Sequence, residues 1–412
     1  MRQNSYPGKI IRILLLCLCA ALLAGTAAAE ETAAAPILEN GLKYMGKLPD
    51  GRILFGGFRQ YPGKSECFPR LLCLNTDRTV SWDAQADPGQ DARYTLAAVL
   101  PDGTVAAVLG LMSSESVSDE LCFFTQDGEP VDREMTLPVN GEYKIPFVSE
   151  SLVTAVENDG GQFAPILLFD WDGNKTGELG GPDIYRYGGM IQRPDGFILE
   201  FTPEEGTREE KIVRTDSRGN VLWEVILPRA WTTKDGMGWL HMWETDDGEL
   251  LVLQSDLMPH GEDGEAESRS TLTALDSNGN ILRTENGALG DIKELCMGFC
   301  EHEGKYAAVL YSYDVEQPGF RLDGVRICWL DGHGRALGTT ELALKPEDFD
   351  WTAQYAQDVA DGKARLEMTP QPGMISMPDG LWMYVEVRLR ENGTGYIYRD
   401  TWKQTLVRIP EL

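Results

Sequence analysis

The sequence predicts an all-β fold: a seven-bladed β-propeller of four-stranded antiparallel blades, closed by an N-terminal strand that completes the last blade. Three observations predict it. A short acidic, usually glycine-bearing turn recurs as Pro49-Asp50-Gly51, Pro101-Asp102-Gly103, Ser149-Glu150-Ser151, Pro194-Asp195-Gly196, Asp246-Asp247-Gly248, Glu301-His302-Glu303-Gly304 and Pro378-Asp379-Gly380. The last residues of successive turns are 52, 48, 45, 52, 56 and 76 positions apart, and a period near fifty in an all-strand pattern is that of propeller blades. Finally, the seventh repeat stops one strand short at Leu412, while residues 36–40, just ahead of the first repeat's inner strand, are unassigned and apolar enough to supply it. Such pairing removes two exposed sheet edges and locks the circle.

The chain opens with Arg2, Lys9 and Arg12, an uncharged run over residues 13–25 and the small triplet Ala27-Ala28-Ala29. A span of a bilayer of roughly 30 Å needs about 20 apolar residues, so this run reads as a bacterial secretory signal peptide, residues 1–29, cleaved after Ala29. Leu22-Leu23-Ala24-Gly25-Thr26 has the form of a lipobox, but Thr26 stands where the lipid-accepting cysteine is required. Residues 30–35 are expected to be a disordered leader and 36–412 the propeller. The protein is expected to be secreted, with no membrane span after signal removal.

The fifth repeat displays the blade unit. Residues 239–244 form an inner strand, the turn Asp246-Asp247-Gly248 reverses the chain, and residues 249–254 and 270–275 are the second and third strands. The turn Asp276-Ser277-Asn278-Gly279-Asn280 then leads into an outer strand over 281–284. Second and third strands are almost continuously apolar, as in Leu250-Leu251-Val252-Leu253, which suits strands covered on both faces by neighbouring blades. Outer strands alternate, as in residues 221–227. In the seventh repeat the inner, second and third strands are expected at 373–377, 381–389 and 405–409.

Turns between third and fourth strands match from copy to copy, among them Asp172-Gly173-Asn174, Asp216-Ser217-Arg218-Gly219-Asn220 and Asp331-Gly332-His333-Gly334-Arg335. Glycine and asparagine supply the positive φ that tight hairpins need. The runs Asp170, Asp172, Asn174 and Asp276, Asn278, Asn280 also copy the start of a calcium loop. Lys175 replaces the loop glycine in the first, however, and neither run has a glutamate at its twelfth position. Hairpin chemistry accounts for both, and no cofactor is predicted; calcium is only weakly supported.

The segments Arg214-Thr215-Asp216-Ser217-Arg218-Gly219-Asn220-Val221-Leu222-Trp223 and Ala274-Leu275-Asp276-Ser277-Asn278-Gly279-Asn280-Ile281-Leu282-Arg283 resemble the repeat of the quinoprotein-like (PQQ-like) propellers, Ala-x-Asp-x-x-Thr-Gly-Lys-x-x-Trp. The resemblance implies a turn shaped by the aspartate and glycine, and a tryptophan packed between blades, here Trp223 and Trp82. These copies are one residue shorter and lack the threonine and lysine, so the fold is carried over without pyrroloquinoline quinone. The dipeptides of WD repeats do not recur, and a WD-repeat-like assignment would rest on geometry alone.

With 65 acidic against 37 basic residues and a net charge of −28, the chain is a poor partner for nucleic acid or anionic lipid. The charge suits solubility. Cys67, Cys73, Cys122, Cys296, Cys300 and Cys328 lie outside the leader and are expected to be buried thiols; Cys296 and Cys300, four apart on a strand, should lie about 13 Å apart along one face. The four histidines are scattered. His302 and His333 fall in tight turns and suggest no shared site, His260 sits in an acidic loop, and His241 lies on an inner strand lining the channel.

In this strand order the first-to-second and third-to-fourth turns share one face of the disc, here the turn face. The second-to-third loops and blade connections share the other, the long-loop face, with candidates at 59–68, 110–120, 228–237, 255–269, 312–322, 344–372 and 390–403. Aromatic residues are frequent in these loops, and rings beside carboxylates can hold sugars or peptides. The candidate ligand-binding residues are Trp231, Trp239, His241, Tyr313, Trp351, Tyr355 and Trp402; no catalytic or metal-binding residue is singled out. The first expectation is a non-catalytic binding or scaffold module for an extracellular polysaccharide, peptide or protein. The alternative is an extracellular enzyme, a carbohydrate-active hydrolase or lyase or a quinone-dependent dehydrogenase.

Overall fold

In the computed structural model the chain divides into residues Met1–Pro36 and a unit Ile37–Leu412. The structure describes residues 41–60, 67–85, 92–111, 119–139, 142–157, 165–179, 186–202, 209–230, 237–258, 267–290, 294–314, 319–320, 325–342, 353–368, 373–392 and 403–412. The signal segment, the leader and the closing strand expected at 36–40 lie outside the described residues.

The second unit is a seven-bladed β-propeller of four-stranded antiparallel blades. Blade 1 comprises Leu42–Lys47, Ile53–Gln60, Cys67–Leu74 and Val80–Gln85; blade 2 comprises Ala92–Val99, Val105–Leu111 and Asp119–Phe124. Blade 3 comprises Tyr143–Lys144, Val153–Glu157, Ile166–Phe169 and Lys175–Leu179; blade 4 comprises Arg186–Arg193, Gly196–Thr202, Glu209–Asp216 and Val221–Pro228. Blade 5 comprises Met237–Glu244, Leu250–Met258, Glu267–Leu275 and Ile281–Asn286; blade 6 comprises Glu294–His302, Lys305–Asp314, Val325–Leu330 and Ala336–Leu342. Blade 7 comprises Gly373–Met377, Gly380–Glu391 and Lys403–Arg408. In blade 2 the fourth strand shrinks to the bridge Phe124↔Pro130 and a bond from the Val131 amide to the Phe123 carbonyl, because proline brings no donor to a ladder.

The expected turns are present in two hairpin forms. At Gly51, Gly103, Gly248 and at the third-to-fourth turns Gly128, Gly173, Gly219, Gly279 and Gly334, the glycine amide bonds the carbonyl three residues back with φ between 79° and 91°. In blade 6 the turn is a two-residue hairpin between His302 and Lys305, with both Glu303 (φ 53°) and Gly304 (φ 73°) left-handed, as such tight turns demand.

Alternation of side chains decides which seam each residue enters. In blade 5, Leu250 and Val252 pack with Ile198 and Ile212 of blade 4, whereas Leu251 and Leu253 pack with Ala308 and Leu310 of blade 6. Equivalent apolar clusters join blades 1 and 2, 2 and 3, 3 and 4, and 6 and 7. Each fully buried Leu, Ile or Val contributes about 1.5–3 kcal/mol. Outer strands are wetter: Val221–Pro228 alternates exposed and covered positions.

Two tryptophans anticipated between blades are found there. Trp82 donates its indole N–H to the Gln126 carbonyl at 2.7 Å, and Trp223 donates to that of Ser277 at 3.0 Å. Each ring lies flat on a turn glycine of the next blade; a Cβ on Gly128 or Gly279 would stand 2.6 or 2.7 Å from it.

The seam between blades 7 and 1 joins segments some three hundred residues apart. Tyr384 stacks obliquely on Phe55 at 5.6 Å and its hydroxyl donates to the Leu42 carbonyl. Arg78 pairs with Asp379 at 2.6 Å while its guanidinium lies 4.2 Å over the Trp382 ring.

Three expectations change. The segment 344–372, read as one long loop, contains a helix, Ala353–Ala360, and a strand, Ala364–Met368, that pairs with the far end of Gly380–Glu391. The loop read at 312–322 contains Gly319–Phe320, paired with Tyr313 and Asp314. Cys296 and Cys300 do not share a face: a bulge between Cys296 and Gly298 turns Cys296 toward blade 5 and Cys300 toward blade 7.

Arg78→Ala is expected to cost about 1 kcal/mol, the sum of a part-exposed ion pair and one cation–π contact. Its Tm should fall by roughly 2 °C or more, whereas exposed Arg335→Ala should change nothing; equal Tm values for the two variants would remove the closing role of Arg78.

Candidate functional site

Three described residues of the expected set fall at blades 5 and 6. Trp239 and His241 occupy alternate positions on the inner strand of blade 5 and so share the side facing blade 6. Trp239 and Tyr313 pack against the apolar cluster between blades 6 and 7. The His241 ring stacks on Phe299 at 5.2 Å and 18°, with Nε2 3.5 Å from the Cys296 carbonyl. Phe299 continues the stack to Trp243 and Tyr306. His241 thus turns into a seam, and burial pulls its pKa from 6.5 down to about 4. Tyr355 lies on the helix Ala353–Ala360, its side chain outside the described residues; Trp231, Trp351 and Trp402 lie outside the described residues altogether.

A polar cluster closes the blade 4–5 seam at its long-loop end. Glu210 is fully buried, and Arg229 Nη1 lies 2.9 Å from its Oε2. Arg229 also donates through Nε and Nη2 to Asp256 Oδ1 at 3.1 and 2.8 Å, and the Ala230 amide donates to Asp256 Oδ2 at 3.1 Å. Gly238 is necessary here, because a Cβ at that position would collide with Arg229 Nη2 and Asp256 Oδ1. Glu200 completes the group: burial first, and then the charge of Glu210, push its pKa from 4.5 to about 8, against the pull of Arg229. Glu200 therefore holds its proton more tightly than an ordinary glutamate does. Gln254, 2 % exposed, lies on the same face of its strand as Val252 and Asp256; its Nε2 has no hydrogen-bond partner among the described residues.

Sequence reasoning missed this cluster. Its signal was present, since Glu200 interrupts the apolar run Phe197-Ile198-Leu199 and Glu210 precedes Ile212-Val213. Another contact it missed joins blades 6 and 7: His302, 5 % exposed, places Nδ1 2.8 Å from Ser376 Oγ, and Lys47 donates to the Ser376 carbonyl.

The thiols are quiet. Cys73, Cys122, Cys296, Cys300 and Cys328 are free, and burial pushes all five upward, Cys73 to about 11. In the aspartate turns the carboxylates are used internally. Asp170 and Asp276 each accept the amides two and four residues on through Oδ1, and the asparagine side chain through Oδ2. These bonds hold both below the usual carboxylate range. Among the described residues no group of three or more His, Cys, Asp or Glu side chains is placed to share a metal ion.

A cavity of about 700 Å³ opens on the turn face, where the first turns of blades 1, 2 and 3 converge. This is the face opposite to the one with the longer loops.

Fold and sites define the class as a seven-bladed β-propeller with carboxyl groups buried in the seam between blades 4 and 5. No protein-family model matches the sequence, and no curated protein does. Among solved structures the chain is similar to the polysaccharide lyase Uly1 (10% identity, TM-score 0.49, 94% of this chain and 95% of that one). It is also similar to puromycin hydrolase (15%, 0.48, 87% and 53%) and to an α-L-arabinofuranosidase from Fusarium graminearum (10%, 0.38, 91% and 96%). The chain spans about half the length of puromycin hydrolase. The fold assignment rests on the strand pairing itself.

The two shifted groups act on stability in opposite senses. Glu200 binds its proton more tightly in the folded state, so its contribution is full below about 4.5 and is lost as pH rises to about 8. His241 prefers to be neutral when folded, so its contribution is full above 6.5 and is lost as pH falls toward 4. From pH 6.5 to 8 Glu200 acts alone of the two. The Tm should fall across that interval, and Glu200→Gln should remove most of the fall; an unchanged slope in the variant would show that Glu200 is ionised at neutral pH.

Proposed function

We propose that the protein is an exported, non-catalytic binding propeller that recognises a polysaccharide, peptide or protein through its long-loop face. One observation carries this reading. The described strand order sends every second-to-third connection and every blade-to-blade connection out on the same side of the disc. The ends of the segments following residues 60, 111, 258, 314, 342 and 391 therefore gather on one face. Long connections anchored on a rigid scaffold are where binding residues concentrate. The quiet thiols and the burial of His241 and His302 in seams are in keeping with a binding role. Export rests on the leader sequence, and kinship with quinoprotein-like propellers on the Trp82 and Trp223 contacts.

Glycan-array and pull-down screening of the purified protein, repeated with Trp351→Ala and Trp231→Ala, tests the choice of face. Loss of at least tenfold in affinity in one variant is the expected result, and a ligand held equally well by both variants would sink it.

A second reading is favoured by the Glu200–Glu210 pair, since a carboxyl group that keeps its proton at neutral pH beside a carboxylate is what general acid catalysis uses. In it the protein is an extracellular carbohydrate-active enzyme. Captured glycans would then be turned over, and Glu200→Gln would lower kcat at least 100-fold with KM unchanged; absence of turnover for every captured glycan would remove this reading.

A further inference from the structure

The turn-face cavity lies beside irregular inner strands. The inner strand of blade 1 is bulged between Tyr44 and Gly46, and that of blade 2 between Tyr94 and Leu96. In blade 3 the inner strand forms a ladder only at Tyr143–Lys144 and meets its neighbour again at the bridge Val148↔Val153. The inner strands of blades 4 and 6 are bulged as well, and bulges of this kind re-aim side chains. The cavity, about 700 Å³, falls within the range of small-molecule pockets, about 300–1,000 Å³.

Its lining is mixed: Met45, Leu54, Ala97, Ala98, Val99 and Val148 supply an apolar wall, and Lys47, Asp102, Gln126, Ser149 and Glu150 bring polar groups to it. Its rim carries charge of mainly one sign. Asp102 is held below the usual carboxylate range by hydrogen bonds from Thr104, and its nearest cation, Arg133, is 3.8 Å away. Glu150 is exposed and has no ion-pair partner among the described residues. Lys47, the one basic residue of the lining, has its ammonium drawn to the Ser376 carbonyl of blade 7. Neighbouring arginines on this face are likewise engaged: Arg52 by Asp50 and Asp127, Arg78 by Asp379. Ligand chemistry follows from complementarity, because an apolar body gains from the walls, an ammonium gains from the carboxylates, and the net charge of −28 attracts cations to the opening.

We propose that this cavity is a ligand site, separate from the long-loop face, for a small organic cation: an ammonium group on an apolar body of several carbon atoms. Glu150 is its charge-recognition residue and Asp102 the supporting one. Neither the export of the protein nor a ligand on the opposite face is needed for it.

The test is titration calorimetry of the full-length protein with three isosteric probes: 2-phenylethylamine, 2-phenylethanol and 3-phenylpropionate. The amine should bind saturably at one site, at least tenfold more tightly than the alcohol, and the carboxylate should give no heat. Glu150→Gln should weaken the amine by roughly fivefold and leave the alcohol unchanged, and Glu150→Lys should abolish amine binding. Asp247→Asn, in an exposed turn of blade 5 on the same face, should match the unmodified protein. Equal affinity for amine and alcohol, amine binding that survives Glu150→Lys, or no saturable binding of the amine would each overturn the proposal. Because Glu150 is a solvent-exposed turn residue, both of its variants should fold, and an unchanged Tm checks this.

Discussion

Everything in this propeller depends on burying two faces of every sheet at once. A blade whose second strand is covered from end to end, as Leu250–Met258 is almost throughout, cannot stand in water alone; it needs a neighbour on each side, and only a closed ring gives every blade two. The seam between blades 7 and 1 is therefore the constraint on which the others rest. It is held by a mixed set of contacts, the Phe55–Tyr384 rings and the Arg78–Asp379 pair lying over Trp382. Other seams join aliphatic packing to ring contacts, as in the His241–Phe299–Trp243 stack between blades 5 and 6.

Charged groups gather at the ends of the blade 4–5 seam, and there they pair with one another. The blade 4–5 seam shows both ends: Arg193 and Arg214 meet Glu244 near the turns, and Arg229 meets Glu210 and Asp256 at the opposite end. With 65 acidic residues to 37 basic ones, arginines engaged inside the disc leave a surplus of carboxylates outside. Where the surplus is buried instead, as at Glu200 beside Glu210, loss of solvation and then repulsion make the Glu200 carboxyl group hold its proton more tightly.

The two faces of the disc differ for a topological reason. On the turn face the connections are short hairpins, so variation there comes from the inner strands, several of which are bulged. On the other face variation comes from the length of the connections. Blades 6 and 7 extend toward it, with second strands of ten and twelve residues that gather Gly319–Phe320 and Ala364–Met368 as added strands. A small ligand suits the first kind of surface and a large one the second.

Blade number, strand order and turn positions were legible in the sequence because each is local: a hairpin declares itself by Asp and Gly at fixed offsets, and a strand covered on both sides by an unbroken apolar run. The interblade role of Trp82 and Trp223 was legible for the same reason, through the repeat they belong to. Side-chain partners were not. His302 looked like one residue of a tight turn, and only the ring brings Ser376 to it from 74 positions away. Cys296 and Cys300 seemed to share a face, and a single bulge, a property of the backbone pairing, separated them. Glu200, Glu210, Arg229 and Asp256 come from three strands and a connection, and the raised proton affinity of Glu200 depends on the water that the assembled seam excludes. Local pattern thus determined the scaffold, while the tertiary structure decided its chemistry, because burial and charge proximity exist only once the blades are packed.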